Sequence, residues 1–390
     1  MADCGTTEAR GAAAARGSRA RHIEPEAWHV SEFSTGAEPP AERQFPQDGG
    51  VDPQGAAEAE HRAVSRETEP DRPLGGYPVR TAADIAVAAP DFDHDHATPL
   101  ARAAEHVVLA RQGARLRPAM ARPEATRVFV VANQKGGVGK TTSTVNVAAA
   151  LAQLGQRVLV IDLDPQGNAS TALGVEHRRG VASTYDALVD GVPLAEVATE
   201  SPEVENLTVV PATIDLAGAE IELVSVVARE SRLRKAIVGH PQVGTAAELG
   251  EDRLDYVFID CPPSLGLLTL NALVAGNEMM IPIQAEYYAL EGLGQLLETV
   301  EMVKAHLNPA LDVSTILVTM YDARTRLAAG VADEVRDHFG DQVLKTTIPR
   351  SVRVSEAPSY GQTVMTYDPG SPGALSYLEA AREIAIKGVA

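Results

Sequence analysis

The chain has 390 residues, two cysteines and a formal charge of -19 at pH 7. Its length exceeds what one average domain needs, two cysteines are too few for a disulfide-built scaffold, and no run nears the roughly 20 apolar residues of a membrane-spanning helix. The acid excess excludes a broadly basic coat for nucleic acid, so any contact with phosphate backbones must come from a local basic patch of salt-sensitive affinity.

Residues 1–125 are dense in Ala, Arg, Glu, Pro and Gly, contain no lysine, and carry 14 basic against 20 acidic residues. Their apolar residues rarely recur at helical or strand spacing. They therefore bury too little surface to offset the entropy of ordering and are predicted to be a largely disordered N-terminal extension. The extension shows no pair of periodic helices with a tight turn, which argues against a sequence-specific operator-binding domain. Short apolar groups at residues 83–87 and 107–110 read equally as recruitment motifs or as chance Ala and Val content. The first ten residues lack a basic stretch followed by an apolar one, and Cys4 and Cys261 fit a reducing compartment, so a cytoplasmic protein is expected.

Over residues 126–390 the pattern becomes apolar runs separated by helical stretches, with 20 basic and 33 acidic residues. RVFVVA (127–132) is predicted as a strand ending at a Gly-rich loop, followed by a helix over 139–154 that stops near Gly155. Further strands are predicted at 157–162, 207–211, 256–260, 279–283 and 314–319. Strands that are apolar throughout and alternate with helices imply a mostly parallel sheet covered on both faces, a doubly wound α/β domain. Gly, Pro and charged residues break the periodicity of 238–253, which reads as a surface insertion.

Between the first strand and its helix lies Lys135-Gly136-Gly137-Val138-Gly139-Lys140-Thr141-Thr142. In that context glycines let backbone N–H groups converge on phosphate oxygens and the helix N-terminus adds positive potential. Lys140 then reaches the β and γ phosphates, and Thr141 offers its hydroxyl to Mg2+. A plain Gly-rich turn with two solvated lysines would not need strand, loop, lysine and threonine to agree. Gln134 stands where the common phosphate-loop pattern has glycine, and Lys135 sits just inside the loop. Farther on, VLVIDLDPQGNAS (158–170) would put Asp162 and Asp164 on one strand face if the strand continues, at the carboxyl end where such sheets bind ligands. The other reading of these carboxylates is a cap on the turn before Pro165. YVFIDCPPSLG (256–266) carries Asp260 at the end of an apolar strand, the arrangement of an aspartate that holds Mg2+ through water. Cys261 reads as core packing, because no His shares its local motif. Arg324, Arg326, Lys345, Arg350 and Arg353 gather in the C-terminal third, where spacing alone fits a solvated face as readily as a binding surface.

KGGVGKTT resembles the deviant Walker A loop of the ParA/MinD ATPases. The likeness to Soj-like chromosomal ParA proteins runs from residue 127 to about 385, through AGAEIELV (217–224), EYYALEGL (286–293), MYDARTRLAAG (320–330) and KTTIPRSVRVSEAPSYGQ (345–362). The resemblance implies ATP and Mg2+ as ligands, with Lys135 reaching across a dimer to the other subunit's phosphates. It also implies that Asp164 positions the attacking water, that Asp162 supports the Mg2+ shell, and that Pro349 lies near the adenine. Arg324 and Arg353 take the positions of family arginines that bind double-stranded DNA without sequence preference. Ser351 stands where the family commonly has Asn, which removes an amide that would bond the base. An ATP-dependent homodimer, slow hydrolysis stimulated by a ParB-type partner, a nucleoid-associated location and a role in chromosome or plasmid segregation are the further expectations. A polar scaffold is a further candidate partner for residues 1–125. The alternative is a MinD-like positioning ATPase at a membrane or protein scaffold. The ending ALSYLEAAREIAIKGVA argues against it, since Arg382 and Lys387 stand beside Glu379 and Glu383 and do not form a basic lipid-facing stripe. An iron-sulfur relative would need bridging cysteines, and Cys261 is alone in the domain. No membrane insertion is expected.

Overall fold

The computed structural model of the chain describes residues 120–286 and 289–388, the side chains of 289–292 excepted. The expected extension, Cys4 and both short apolar groups therefore lie outside the described residues, except for the stretch from Met120 to Ala125. Seven strands form one sheet: β1 (Arg127–Val131), β2 (Val158–Asp162), β3 (Thr199–Glu200), β4 (Leu207–Val210), β5 (Tyr256–Asp260), β6 (Glu278–Gln284) and β7 (Asp312–Thr319). Their order is β3-β4-β2-β5-β1-β6-β7, and every pairing is parallel except that of β3 with β4. The six strands read from the sequence agree with six of these to within two residues at each end. The two-residue, fully exposed β3 carries no apolar run and is silent in the pattern.

Alternate side chains of each strand enter opposite layers, as the two-residue period requires. Val128, Val130, Leu159, Ile161, Val257 and Ile259 face one layer, built from α2 (Leu216–Glu222), α3 (Arg232–Val238), α4 (Leu267–Ala275), α5 (Ala289–His306) and α6 (Arg326–Phe339). Phe129, Val131, Val158, Val160, Tyr256 and Phe258 face the other, against α1 (Lys140–Gln153) and α8 (Pro372–Lys387). The short helix α7 (Val352–Glu356) joins the second layer through Val354. Each fully buried Val, Ile, Leu or Phe contributes about 1.5–3 kcal/mol. Strands apolar on both faces are therefore stable only when both faces are covered. Among the described residues no helix is long and apolar enough to cross a membrane.

At the amino ends of the strands a buried carboxylate joins three stretches of chain. Asp255 is fully buried; its Oδ1 accepts Arg122 Nε at 2.8 Å and Arg253 Nη2 at 3.2 Å, while its Oδ2 accepts the Arg157 backbone N–H at 2.8 Å. Arg253 also donates to the Pro123 carbonyl, and Thr126 Oγ1 donates to the Leu254 carbonyl at 2.7 Å. The insertion docks on the same stretch, with Ala246 N bonded to Glu124 O and Thr126 N to Gly244 O. Its turn Ala246–Leu249 is closed by a reciprocal Thr245 and Glu248 capping box. Residues 122–126 are thus hydrogen-bonded to the amino end of the sheet, through one arginine and a few backbone bonds that leave no periodic signal.

Replacing Arg122 by Ala in the full chain is expected to lower stability by about 1–3 kcal/mol in urea denaturation, since it strips a buried carboxyl group of one hydrogen-bond donor. Glu251→Ala removes the 95% exposed end of the same network and is expected to cost under about 0.5 kcal/mol. Equal effects of the two substitutions would rule out Asp255 as the anchor.

Candidate functional site

The connections between strands reverse their direction across the sheet around β1, which lies between β5 and β6, and the crevice opens at the carboxyl ends of these strands. The Gly-rich loop leaves β1 there and enters α1. Gly139 is the N-cap of that helix at φ 87°, a left-handed conformation that side chains with a Cβ disfavour. Added Cβ atoms at Gly136 and Gly137 would meet nothing within 4 Å, so the loop's concave side is open. Thr319 Oγ1, at the end of β7, donates to the Val138 carbonyl at 2.8 Å and holds the loop against the sheet. Asn133 does the same from below, donating to the Pro282 carbonyl at 2.8 Å while its Oδ1 accepts the Lys135 backbone N–H at 3.0 Å.

The two lysines of the loop part company. Lys140 is buried and folds back, with Nζ 3.3 Å from the Lys135 carbonyl; desolvation lowers its pKa against the pull of Asp260, Cys261 and Asp164. Lys135 is about one-third exposed at the rim, and its Nζ donates to Glu286 Oε2 at 3.2 Å.

Strand register brings the carboxylates together: Asp162 pairs with Asp260 at the ends of β2 and β5, and Val131 pairs with Asp260 on the other side. Asp260 accepts Thr141 Oγ1 at 2.7 Å on one oxygen and Thr144 Oγ1 at 2.9 Å on the other. Burial, with the charge of Asp162 adding to it, pushes the Asp260 carboxyl well above the usual range. Burial also raises Asp162, although hydrogen bonds from Ser170 and Asp164 oppose the shift. A buried carboxyl held toward neutrality regains its charge beside a cation, and the hydroxyl and carboxylate oxygens at Thr141 and Asp260 suit a hard one such as Mg2+. Among the described residues no three His, Cys, Asp or Glu side chains are arranged to hold a metal alone. An ion here would take its remaining ligands from phosphate and water.

Asp162 is engaged locally: Oδ2 accepts Ser170 N at 2.8 Å and Ser170 Oγ at 2.7 Å, and Oδ1 accepts Asp164 N at 3.2 Å. Its carboxylate thereby shapes the 162–170 turn. Asp164 does cap that turn, with Oδ1 accepting Gln166 N at 3.0 Å, and it remains at the edge of the crevice, 9% exposed. Cys261 is fully buried in the apolar layer, with its pKa well raised by desolvation, as core packing requires.

The basic residues divide. The segment 344–350 runs beside β7, with Leu344 N bonded to Ile316 O, Ile348 N to Val318 O, and Pro349 bridged to Tyr321. This places the turns holding Arg324, Arg326, Arg350 and Arg353 at the crevice end, and leaves Lys345 partway down the strand with its backbone N–H on Glu383. Arg324 is 88% exposed and grips Asp322 through Nε at 2.9 Å and Nη2 at 2.7 Å. Arg353 meets Glu356 at 3.2 Å and Asp368 at 3.5 Å. Glu286, Thr144 and Thr319 were given no role from sequence. Each ends or faces a strand at the carboxyl side, the signal that marks them.

A family model described as an AAA domain matches residues 126–313. The sporulation initiation inhibitor protein Soj of Bacillus subtilis is 52% identical over 262 residues, 67% of this chain and 99% of Soj. The chain belongs to the Soj/ParA family. Another of its members, the chromosome partitioning protein ParA of Myxococcus xanthus, is 49% identical over 66% of this chain and 87% of its own length. Among solved structures, cobyrinic acid a,c-diamide synthase from Mycobacterium smegmatis with bound ADP and magnesium is 39% identical, with a TM-score of 0.54 over 66% of this chain and 92% of that one. Relatives of this ParA-type chain carry names of partitioning ATPases.

Gly139→Ala is expected to cost this Soj/ParA domain about 1–2 kcal/mol of stability, because a Cβ enters the left-handed region. The new carbon would lie 3.9 Å from Ser143 and Thr319, an ordinary contact, so the loss is conformational. Urea denaturation and titration with a fluorescent ATP analogue should show both the destabilisation and at least tenfold weaker nucleotide binding. Unchanged binding would mean that the loop does not hold phosphate.

Proposed function

We propose that the protein is a slow, Mg-ATP-driven partition switch that dimerises on ATP, binds double-stranded DNA without sequence preference, and helps move a chromosome or plasmid. The observation that carries the proposal is the separation of the two loop lysines, one folded into the cradle and one at its rim. Backbone N–H groups from Lys135 to Thr142 and the ammonium of Lys140 receive the phosphates of ATP. Thr141 directly, and Asp260 through water, would hold Mg2+, which would supply charge neutralisation at the phosphates. Asp162 supports that shell by fixing the turn, Asp164 orients the attacking water, and Pro349 lies against the adenine. Lys135 crosses to the other subunit's phosphates and offsets charge developing on the transferred group, as an arginine finger does.

Arg324 and Arg353 contact DNA phosphates. Asp322, Glu356 and Asp368 beside them temper each single contact, so two patches in a dimer bind where one does not. ATP thereby controls where the protein sits, on the nucleoid in the cytoplasm, and a ParB-type partner speeds hydrolysis and release. Residues 1–125 serve as an extension that recruits a partner such as a polar scaffold. The MinD-like membrane reading is disfavoured because α8 packs its buried side chains against α1, with Tyr377 and Ser143 hydroxyls 3.4 Å apart.

Binding to nonspecific duplex DNA is expected with ATP and not with ADP or without nucleotide. Four arginine contacts per dimer would give log K a slope of about -3.6 against log salt. Arg353→Glu should abolish the binding, and Lys135→Ala should keep ATP binding while losing DNA. Equal affinity in all nucleotide states, or none in any, would sink the switch.

A further inference from the structure

Glu286 stands two residues beyond the end of β6, at the rim of the crevice, and faces two cations. Its Oε2 accepts Lys135 Nζ at 3.2 Å. Its Oε1 accepts Gln284 Nε2 and lies 3.9 Å from Arg350 Nη2. Asn133, bonded at once to the Lys135 backbone and to the Pro282 carbonyl, fixes the loop against β6, so the lysine and the glutamate meet through the β1–β6 pairing. Arg350 arrives from the opposite side on the segment bridged to Tyr321, three residues before Arg353.

An ammonium paired with Glu286 of its own subunit is not available to phosphates of another. We infer that Glu286 is a latch that parks Lys135 within its own subunit, and that Arg350 competes for the same carboxylate and eases the lysine's release. The inference rests on the proposed role of Lys135 as the residue that crosses the dimer. Once Lys135 leaves, Arg350 is the cation closest to the vacated carboxylate, and the segment carrying it leads into α7. Departure of the lysine is thus felt at the base of the proposed DNA-contacting turn.

The latch biases the equilibrium without blocking it. Lys135, Glu286 and Arg350 are 35%, 45% and 62% exposed, so solvent screens their attraction. A screened pair of this kind is worth at most about fivefold in an equilibrium constant. Two latches open per dimer, so removing them should tighten dimerisation roughly three- to twentyfold.

The test is the monomer–dimer equilibrium of the full chain by sedimentation, with Mg2+ and a non-hydrolysable ATP analogue and no DNA. The set comprises wild type, Lys135→Ala, Glu286→Gln, Arg350→Ala and the Glu286→Gln/Arg350→Ala double variant. Expected are a dimer for wild type, none for Lys135→Ala, a tighter dimer for Glu286→Gln and a weaker one for Arg350→Ala. The double variant should match Glu286→Gln alone, since Arg350 acts only through that carboxylate. A wild type that dimerises while Glu286→Gln dimerises no better overturns the latch alone. A wild type that stays monomeric overturns the crossing lysine and the latch with it. Arg350→Ala indistinguishable from wild type overturns the competition.

Discussion

The carboxylate of Asp260, taken by two threonine hydroxyls of α1, is the contact on which the rest of the site depends. It ends the strand that lies between β1 and β2, so it fixes where the phosphate loop's helix begins relative to three parallel strands. Thr141 and Thr144 lie two and five residues beyond Gly139, at the start of α1, and their bonds hold open a loop whose conformation only glycine adopts comfortably. Loss of either hydroxyl would leave a buried carboxylate short of a donor, which is costly in a low-dielectric interior. The polar cluster is therefore both the frame of the crevice and its chemical equipment.

Much of this was legible in the sequence because it is written in periodicity. Six apolar strands, the loop and the aspartates at strand ends follow from patterns of two and 3.6 residues together with glycine placement. What stayed hidden lacks a period. β3 is two exposed residues, the Arg122 tether is one side chain acting at long range on Asp255, and Glu286 belongs to a run whose meaning depends on where β6 ends. The separation of Lys345 from the other basic residues was hidden for the same reason, since proximity in sequence does not say how far along β7 a paired segment has travelled.

Charge in this molecule is arranged by pairing. Three exposed arginines of the crevice end have acidic neighbours, Asp322 for Arg324, Glu356 and Asp368 for Arg353, Glu286 for Arg350. In an acidic domain such pairs orient the guanidinium groups and partly neutralise them. Oriented, partly neutralised cations exchange one anion for another at small cost, which suits reversible contacts.

The anchor at Met120–Thr126 lies at the amino ends of the strands, opposite the crevice. Anything pulling on the chain before it loads β1 along its own axis, and β1 is hydrogen-bonded on both sides, to β5 and β6. Such a load shears two ladders whose bonds must fail together, and the Asp255 network must yield before the strain reaches them. The domain is thus built to bear tension through its centre, at the end away from the crevice.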